Sequence, residues 1–426
     1  HNPTVHTMLL LGAASLSLSA PGSTRTVGDV PTLLAAIDDR TISRVLCSAA
    51  GSPYTLPQTL QITRDVTVEA EAAGAVVLDA AASPTNPRRV VEVVGATVTL
   101  VGLTVTGGWW SAPKFCISSN GAGIFNQGEL TLINVSVHGN TASSGWCGPE
   151  AGTAGGGVFS DGPLTLLNVD IYNNTAFGYG GPYSTGMAQG GGVATSSTLR
   201  MTDSRVHSNA AHGAGGGFGG GVFCSGKASI QRTTVYGNTA SAYGGRRGGG
   251  IFNDGEMSLE ASTVVNNSAR VVLGSDPTTG GGGGGGVGND GTLTVRDTLI
   301  AHNVAADWGG GVESSATATL ANVSVLFNGA AKGDDSNYGI SNTGTLNQAR
   351  APHADAASAA PPAALGPPRR ARMPGGPPGA PARSPPAHLL PSVARRRPPR
   401  RTPPPRRMAA TWPTTRTSTA APPPST

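Results

Sequence analysis

The sequence is poor in charged and aromatic residues and has no long hydrophobic run. Charged residues make up 12% and aromatic residues 5% of the 426 residues, while glycine occurs 63 times. This balance argues against a helical globule and favours many short strands joined by tight turns. The longest apolar run, residues 8–20, is too short to cross a bilayer as a helix. It resembles the core of a signal peptide, so we expect residues 1–23 to be a leader.

The net charge of +5 is unevenly distributed along the chain. Thirteen arginines and one aspartate follow Ala349, which gives +12 there and leaves −7 on the rest. The basic pI therefore describes only the tail, and we infer no nucleic-acid partner from it. Residues 349–426 are rich in proline, alanine and arginine, a composition that predicts disorder. This tail is either a reading-frame artefact or a basic tether to an anionic wall polymer.

Seven copies of one pattern occupy residues 121–330. Each copy has an apolar residue directly after a run of glycines, which we number position 0, then asparagine at +16 and alanine at +18. The residues at position 0 are Ile124, Val158, Val193, Val222, Ile251, Val287 and Val312. The residues at +16 are Asn140, Asn174, Asn209, Asn238, Asn267, Asn303 and Asn328. Seven copies with one internal spacing indicate a repeat protein whose coils stack along an axis.

Apolar residues within each copy alternate, in pairs at +6 and +8 and at +11 and +13. This period of two predicts strands at +5 to +8 and at +11 to +14, besides one directly after the glycines. One coil cannot bury its inward row, but coils stacked about 4.8 Å apart can. All length variation falls between +16 and the next position 0, so one side of the stack carries the insertions. Repeat proteins commonly bind ligands on such a side.

The region before the regular copies, residues 24–106, predicts a cap followed by diverged coils. Apolar residues at helical spacing in 27–37, with Asp29 before a proline, predict a short helix that covers the end of the stack. Short strands are expected at 60–63, 66–69 and 76–78, and three more between 90 and 106. The regular coils are assigned to residues 107–348.

The motifs GGGV at 155–158 and IYNN at 171–174 resemble the surface repeats of polymorphic outer-membrane proteins. The stacked pattern as a whole resembles the right-handed parallel β-helix of the pectin-lyase-like superfamily. The resemblance covers residues 90–346 and implies an all-β, right-handed parallel β-helix solenoid of about eight to eleven coils. This scaffold serves lyases, hydrolases, adhesins and structural proteins alike, so the resemblance is specific for fold and weak for function.

Two kinds of repeated residue are candidates for sites. The asparagines at +16 predict a structural ladder whose amides satisfy backbone groups at a corner. Position +14 presents rings in four successive copies, and these are weak candidates for ligand binding: His138, Tyr172, His207 and Tyr236. Exposed rings suit stacking on sugars, but they can equally stack on one another, as can the phenylalanines at +1.

Other chemistry is weakly indicated. Asp170 and Arg205, on stacked coils, predict an exposed ion pair, and we assign no catalytic residue, metal site or cofactor. Cys116 and Cys147 lie in equivalent connections of neighbouring coils and predict a disulfide, which agrees with secretion. We therefore expect a secreted or cell-surface protein with a non-catalytic adhesive, structural or glycan-binding role, with polysaccharide, wall or matrix partners. The alternative is a polysaccharide lyase or glycoside hydrolase; the oligomeric state stays open.

Overall fold

The computed structural model describes residues 22–111, 118–144, 152–179, 186–242, 244–271, 282–330 and 339–349. The leader, the tail and both cysteines of the predicted disulfide therefore lie outside the described residues. Within them, the chain forms four sheets in which every ladder between strands is parallel. Successive coils place equivalent residues in register, as with Ile124, Val158 and Val193. The fold is a parallel β-solenoid, and the all-β prediction is confirmed.

Sheet 1 is the largest and contains two strands from each regular coil except the first, where the single strand Ile124–Ile133 covers both positions. Its strands are Ser23–Val27, Ile42–Cys47, Leu60–Ile62, Val66–Ala70, Val91–Val101, Ile124–Ile133, Val158–Ser160, Leu164–Leu167, Val193–Thr195, Thr198–Thr202, Val222–Cys224, Lys227–Gln231, Ile251–Asn253, Glu256–Glu260, Val287–Asn289, Thr292–Arg296, Val312–Ser314, Thr317–Ala321, Ile340–Asn342 and Thr345–Ala349.

Sheet 2 receives one strand per coil, at +12 to +14 of the regular copies. Its ten strands are Tyr54–Thr55, Val76–Asp79, Leu103–Thr106, Ser136–His138, Asp170–Tyr172, Arg205–His207, Thr234–Tyr236, Thr263–Val265, Leu299–Ala301 and Ser324–Leu326.

Sheets 3 and 4 are built from shorter strands in the second half of each coil. Sheet 3 contains Trp109–Trp110, Thr141–Ser143, Thr175–Gly178, Ala210–Gly213, Thr239–Ala242, Ser268–Val271, Val304–Ala305 and Gly329–Ala330. Sheet 4, which comes just before the glycines, contains Ser119–Asn120, Thr153–Ala154, Met187–Gln189, Gly216–Phe218, Gly245–Arg247 and Gly282–Gly283.

The α-helix Val30–Asp38 covers the start of the stack, as predicted. Asp29 caps it by accepting a hydrogen bond from the Thr32 backbone, 2.8 Å, and Thr32 reaches back to Asp29. Such a capping box satisfies two backbone donors that a helix start leaves unpaired. The buried face, with Leu33 and Ile37, packs against the core. A 3₁₀ turn follows at Ala49–Gly51, and no helix among the described residues is long and apolar enough to cross a membrane.

The core is one continuous column of inward-facing apolar side chains. The residues at position 0 are all 0% exposed, and the predicted pairs at +6 and +8 point inward with them. Each inward side chain rests on its equivalent in the next coil, as Leu130 does on Leu164. Stacking therefore buries a row that one coil alone would expose.

Two features of the path differ from the expected three strands per coil. The strands directly after the glycines and at +5 to +8 share sheet 1, because Ile124–Ile133 runs through both positions as one strand and joins their two ladders. Similarly, Val91–Val101 is continuous through Gly95, which adopts φ +61°. Sheets 3 and 4 lie in the segment that we expected to be a plain connection.

Every regular coil turns at three left-handed corners. The glycine three residues before position 0 has φ between +57° and +66° throughout. The residues at +10 and +15 also have positive φ, and asparagine is common there because it tolerates this conformation. The residues at +10 are Asn134, Asn168, Asp203, Arg232, Ala261, Asp297 and Asn322.

Candidate functional site

The asparagines at +16 form a hydrogen-bonded column along the corner between sheets 2 and 3. The Asn174 side-chain oxygen accepts from both the backbone and side-chain nitrogens of Asn140, at 3.1 and 3.0 Å. The Asn174 amide nitrogen donates to the Val137 carbonyl of the coil before, 2.9 Å, and to Asn209, 3.0 Å. The pattern repeats to Asn328. Each amide thus satisfies buried backbone groups, which is a structural role.

A second polar column, at +2, was not predicted. It points inward beside position 0 and consists of Asn126, Ser160, Thr195, Cys224, Asn253, Asn289 and Ser314. Asn126 donates to Ser160 at 2.8 Å and Asn253 to Asn289 at 2.7 Å. Extending the period-2 alternation from position 0 would have found it. Cys224 is therefore a buried member of a structural column, and burial raises the pKa of its thiol to about 11.

The ring residues at +14 stack into one column on the outer face of sheet 2. Ring centroids are 4.7 Å apart between His138 and Tyr172, 5.1 Å between Tyr172 and His207, and 4.5 Å between His207 and Tyr236. The planes lie within 22° of parallel. Each of the two inner rings has both faces covered by a neighbour. A sugar could therefore reach the inner rings only along their edges, although the ligand-binding prediction itself stays open.

Charged neighbours fix the middle of this column. Asp170 accepts from Arg205 at 2.8 Å, which is the predicted ion pair, and from the ring of His207 at 3.1 Å. The Arg205 side chain is 63% exposed, so the pair stabilises little. Burial lowers the pKa of His138, while the negative charges of Asp170 and Asp79 oppose that shift.

The phenylalanines at +1 form a different kind of column, lying beneath sheet 4. Phe125 and Phe159 stack at 5.6 Å, and Phe223 and Phe252 at 5.8 Å. Phe223 is 7% and Phe252 4% exposed. Between the two pairs stands Ala194, in register with Phe159 below and Phe223 above. The column is therefore covered on its outer side and lacks one ring.

Arginine closes this column at each end. The guanidinium of Arg89 lies 3.9 Å from the ring centroid of Trp110 and 4.3 Å from that of Phe125, and 3.7 Å from Glu92. Burial lowers the pKa of Arg89 to about 10. Such a desolvated cation on ring faces is a strong local contact. At the other end, Arg247 lies 5.8 Å from the ring of Phe252.

Arg247 also organises a charge cluster on three neighbouring coils. It bonds both oxygens of Asp290 and both of Glu313, and Ser315 donates to Asp290. The side chains of Arg247 and Glu313 are 21% and 12% exposed. Burial raises the pKa of Glu313, although the bond from Arg247 opposes this. The sequence did not predict this cluster, because variable connections hide which residues meet.

A cleft of about 230 Å³ opens between sheet 4 and sheet 1, where the ring is missing. Phe159, Ala194 and Phe223 line it, and of these only Phe159 is partly exposed, because Ala194 is 1% and Phe223 7% exposed. Its rim consists of Ser118, Asn120, Gly152, Thr153, Ala154, Gln189, Thr195, Ser196 and Ser225. All of these residues are described, and none carries a formal charge.

Metal ligands do not cluster in the described part of the chain, where no three His, Cys, Asp or Glu side chains are placed to hold an ion. Comparisons with protein-family models, with curated proteins and with solved structures find no match to this chain. The geometry of the solenoid is thus the basis for any functional assignment.

Proposed function

We propose that this protein is a non-catalytic glycan-binding scaffold, secreted or at the cell surface, where it serves adhesion or structure. The observation that carries the proposal is the cleft between sheets 4 and 1. The partly exposed ring of Phe159 and a rim of hydroxyl and amide groups suit a sugar, which offers C–H groups on its faces and hydroxyls at its edge. The cleft lies on the side where the connections vary in length, which repeat proteins commonly use for binding.

The resemblance of GGGV and IYNN to outer-membrane surface repeats, and of the coil to pectin-lyase-like solenoids, supports this placement. The outer faces here add columns of hydroxyls, for example Thr131 and Thr165, along the axis. Such columns support binding of an extended polymer over several coils.

Two experiments test the proposal. The full chain is probed on a glycan array, and the same glycans are assayed for released reducing ends and unsaturated uronates. We expect saturable binding to one class of polysaccharide without product release. Binding to no glycan, or sustained product release, would overturn it. The variant Tyr172→Leu on the same array tests whether the edges of the ring column at +14 contribute, because it breaks that stack in the middle.

The alternative is a polysaccharide lyase or glycoside hydrolase, and the Arg247 cluster is the observation that favours it. Two carboxylates beside an arginine, one with a raised pKa, are groups that such enzymes use as acid and base. Both carboxylates are held by Arg247, which argues against free proton transfer. If glycan binding is accompanied by product release, the variant Glu313→Gln should abolish that release and leave glycan binding intact.

A further inference from the structure

Two asparagines at +15 combine an exposed position, a side chain without hydrogen bonds and a sequence motif. Asn173 begins the tripeptide Asn-Asn-Thr and Asn266 begins Asn-Asn-Ser. Such tripeptides are the acceptor motif for N-linked glycans in secreted proteins. Both side chains are exposed and make no hydrogen bond to any residue that the structure describes. The asparagine that follows each of them, Asn174 or Asn267, is buried in the column at +16 and begins no such motif.

The corner at +15 has open space on its outer side. Asn173 adopts φ +52° and Asn266 φ +55°, a left-handed conformation that asparagine tolerates. Glycine takes the same position in two other coils, at Gly139 and Gly237. A Cβ built on Gly237 would meet no heavy atom closer than 3.8 Å. A bulky group attached at this corner therefore needs no rearrangement of the neighbouring coils.

Two further motifs of this kind lie at the +10 corner, where the asparagine side chains are hydrogen-bonded. The side-chain oxygen of Asn134 accepts from Asn168 at 2.7 Å, and the amide nitrogen of Asn322 donates to Asp297 at 2.5 Å. Each of these bonds joins two coils, so a bulky group on either amide would disturb it. The side chains at +15 have no such bond to lose, which makes them the better acceptors.

We propose that Asn173 and Asn266 carry N-linked glycans. The amide nitrogen forms a bond to the anomeric carbon of a sugar supplied as a lipid-linked oligosaccharide diphosphate. The bond from that carbon to the diphosphate oxygen breaks, the diphosphate leaves with the electron pair, and the amide gives up one proton. Nothing is oxidised or reduced. This inference rests on the secreted or surface location proposed above, because the motif is modified in chains that enter the secretory pathway.

The glycans occupy one side of the solenoid. Their sites lie three coils apart on the same corner, which is roughly 14 Å along the axis. That corner joins sheets 2 and 3, whereas the cleft lies between sheets 4 and 1. Asn173 directly follows Tyr172, so its glycan covers edges of the ring column at +14. The cleft stays open, and ligand binding is directed to that side.

Peptide mapping of the full chain, recovered from the medium and surface fraction of its native cells, tests the two sites. An amidase that removes N-glycans, used in heavy-oxygen water, converts each occupied asparagine to a labelled aspartate that mass spectrometry locates. A sample without the amidase controls for spontaneous deamidation. We expect label at Asn173 and Asn266 in most copies, and lower occupancy at Asn134 and Asn322.

Variants made in a secreting eukaryotic host test the motif and the corner separately. Thr175→Ala removes the hydroxyl that the motif requires and should abolish label at Asn173, whereas Thr175→Ser should keep it. The fold tolerates alanine there, since Ala210 is its equivalent in the next coil. Gly237→Asn creates another Asn-Asn-Thr at the same corner and should gain a glycan.

The outcomes separate the modification from the location on which it rests. If the protein is absent from the medium and the surface fraction, the proposed location fails and the modification with it. If the protein is present there but neither asparagine is labelled, the location stands and this inference is wrong. Equal occupancy of all four motifs, or no glycan gained in Gly237→Asn, would show that the corner at +15 does not select the sites.

Discussion

The two halves of each coil satisfy their buried polar groups by different means. From position 0 to +18 the length never changes, and neutral side chains repeat in columns, with asparagine at +16 and small polar residues at +2. From there to the next position 0 the length varies, with the distance from +16 ranging from 9 to 20 residue steps. Apart from the glycines before position 0, that variable half has no repeated residue, and the charges that it supplies, such as Arg247, differ from coil to coil.

The difference follows from geometry. An amide can bond the same atoms in every coil only where those atoms recur at the same place, which a constant length guarantees. Where the length varies, each coil meets its neighbour differently, so local pairs form and gaps remain. We therefore expect changes in the inward columns of the constant half to lower stability at every pH. Changes to charges of the variable half should lower stability to an extent that depends on pH.

The largest effect should come from Asn209→Ala, in the middle of the column. It removes the acceptor of the Asn174 backbone and side chain and the donor to the Ile171 carbonyl. Buried groups left unpaired in this way should lower the free energy of unfolding by about 3–5 kcal/mol. Chemical denaturation measures the loss. Asn328→Ala, at the last aligned coil and half-buried, is the matched variant and should cost about 1–2 kcal/mol; equal losses would contradict the account.

In the variable half, Arg247→Met should give a loss that depends on pH. Removing the arginine leaves the buried carboxylate of Glu313 unpaired, which should cost about 2–3 kcal/mol at pH 8. The pKa of Glu313 is already raised by burial and should rise further. The folded variant then binds a proton more readily than the unfolded chain, so its deficit shrinks as pH falls. Thermal melting from pH 5 to 8 measures this, and the double variant with Glu313→Gln should be insensitive to pH over that range. If the stability lost in Arg247→Met instead grows as the pH falls, Arg247 does not pair with a buried carboxylate.

A smaller loss of stability in acid should come from two partly buried histidines, His138 in the ring column at +14 and His212 in sheet 3. Burial lowers the pKa of His138 and of His212 in the folded protein. The unfolded chain then binds more protons, so stability is complete above the ordinary histidine pKa and falls as pH drops towards the folded values. His138→Phe keeps a ring in the stack and, combined with His212→Gln, should flatten melting temperature between pH 7 and 5. If the melting temperature of the double variant falls with pH as steeply as that of the unaltered protein, other groups cause the sensitivity to acid.

The smallest expected effect is a gain in the free energy of unfolding. Ala261 occupies a left-handed corner at φ +47°, where most equivalent residues are asparagine or aspartate. Ala261→Gly relieves the strain and should stabilise the protein by about 0.5–1 kcal/mol. Ala321→Gly, in a sheet 1 strand, is the control and should destabilise by a similar amount. If both variants lose stability, the corner at Ala261 carries no strain.

Spacing in the sequence was sufficient to predict the constant half. The seven residues at position 0, the column at +16 and the inward pairs at +6 and +8 all follow from one repeated offset. The period of two also contained the polar column at +2, which was overlooked because its members, including Cys224, differ in type. Stacking makes these predictions robust, since each position is fixed by its equivalents above and below.

The variable half could not be predicted in the same way. Sheets 3 and 4 consist of strands of two to four residues, rich in glycine and alanine, whose pairing depends on backbone register with neighbouring coils. Nothing in Gly282–Gly283 or Thr153–Ala154 indicates a strand on its own. The cluster of Arg247, Asp290 and Glu313 joins residues up to 66 positions apart across connections of unequal length.

Native-state hydrogen exchange tests the distinction between the halves most directly. The backbone amides of Asn174, Asn209 and Asn238, each bonded to the side-chain oxygen of the next coil's asparagine, should exchange only on global unfolding. The amides of Met187–Gln189 and Gly216–Phe218 should exchange at least about 100-fold faster, through local opening. Equal rates, or faster exchange at the asparagine corner, would contradict the account.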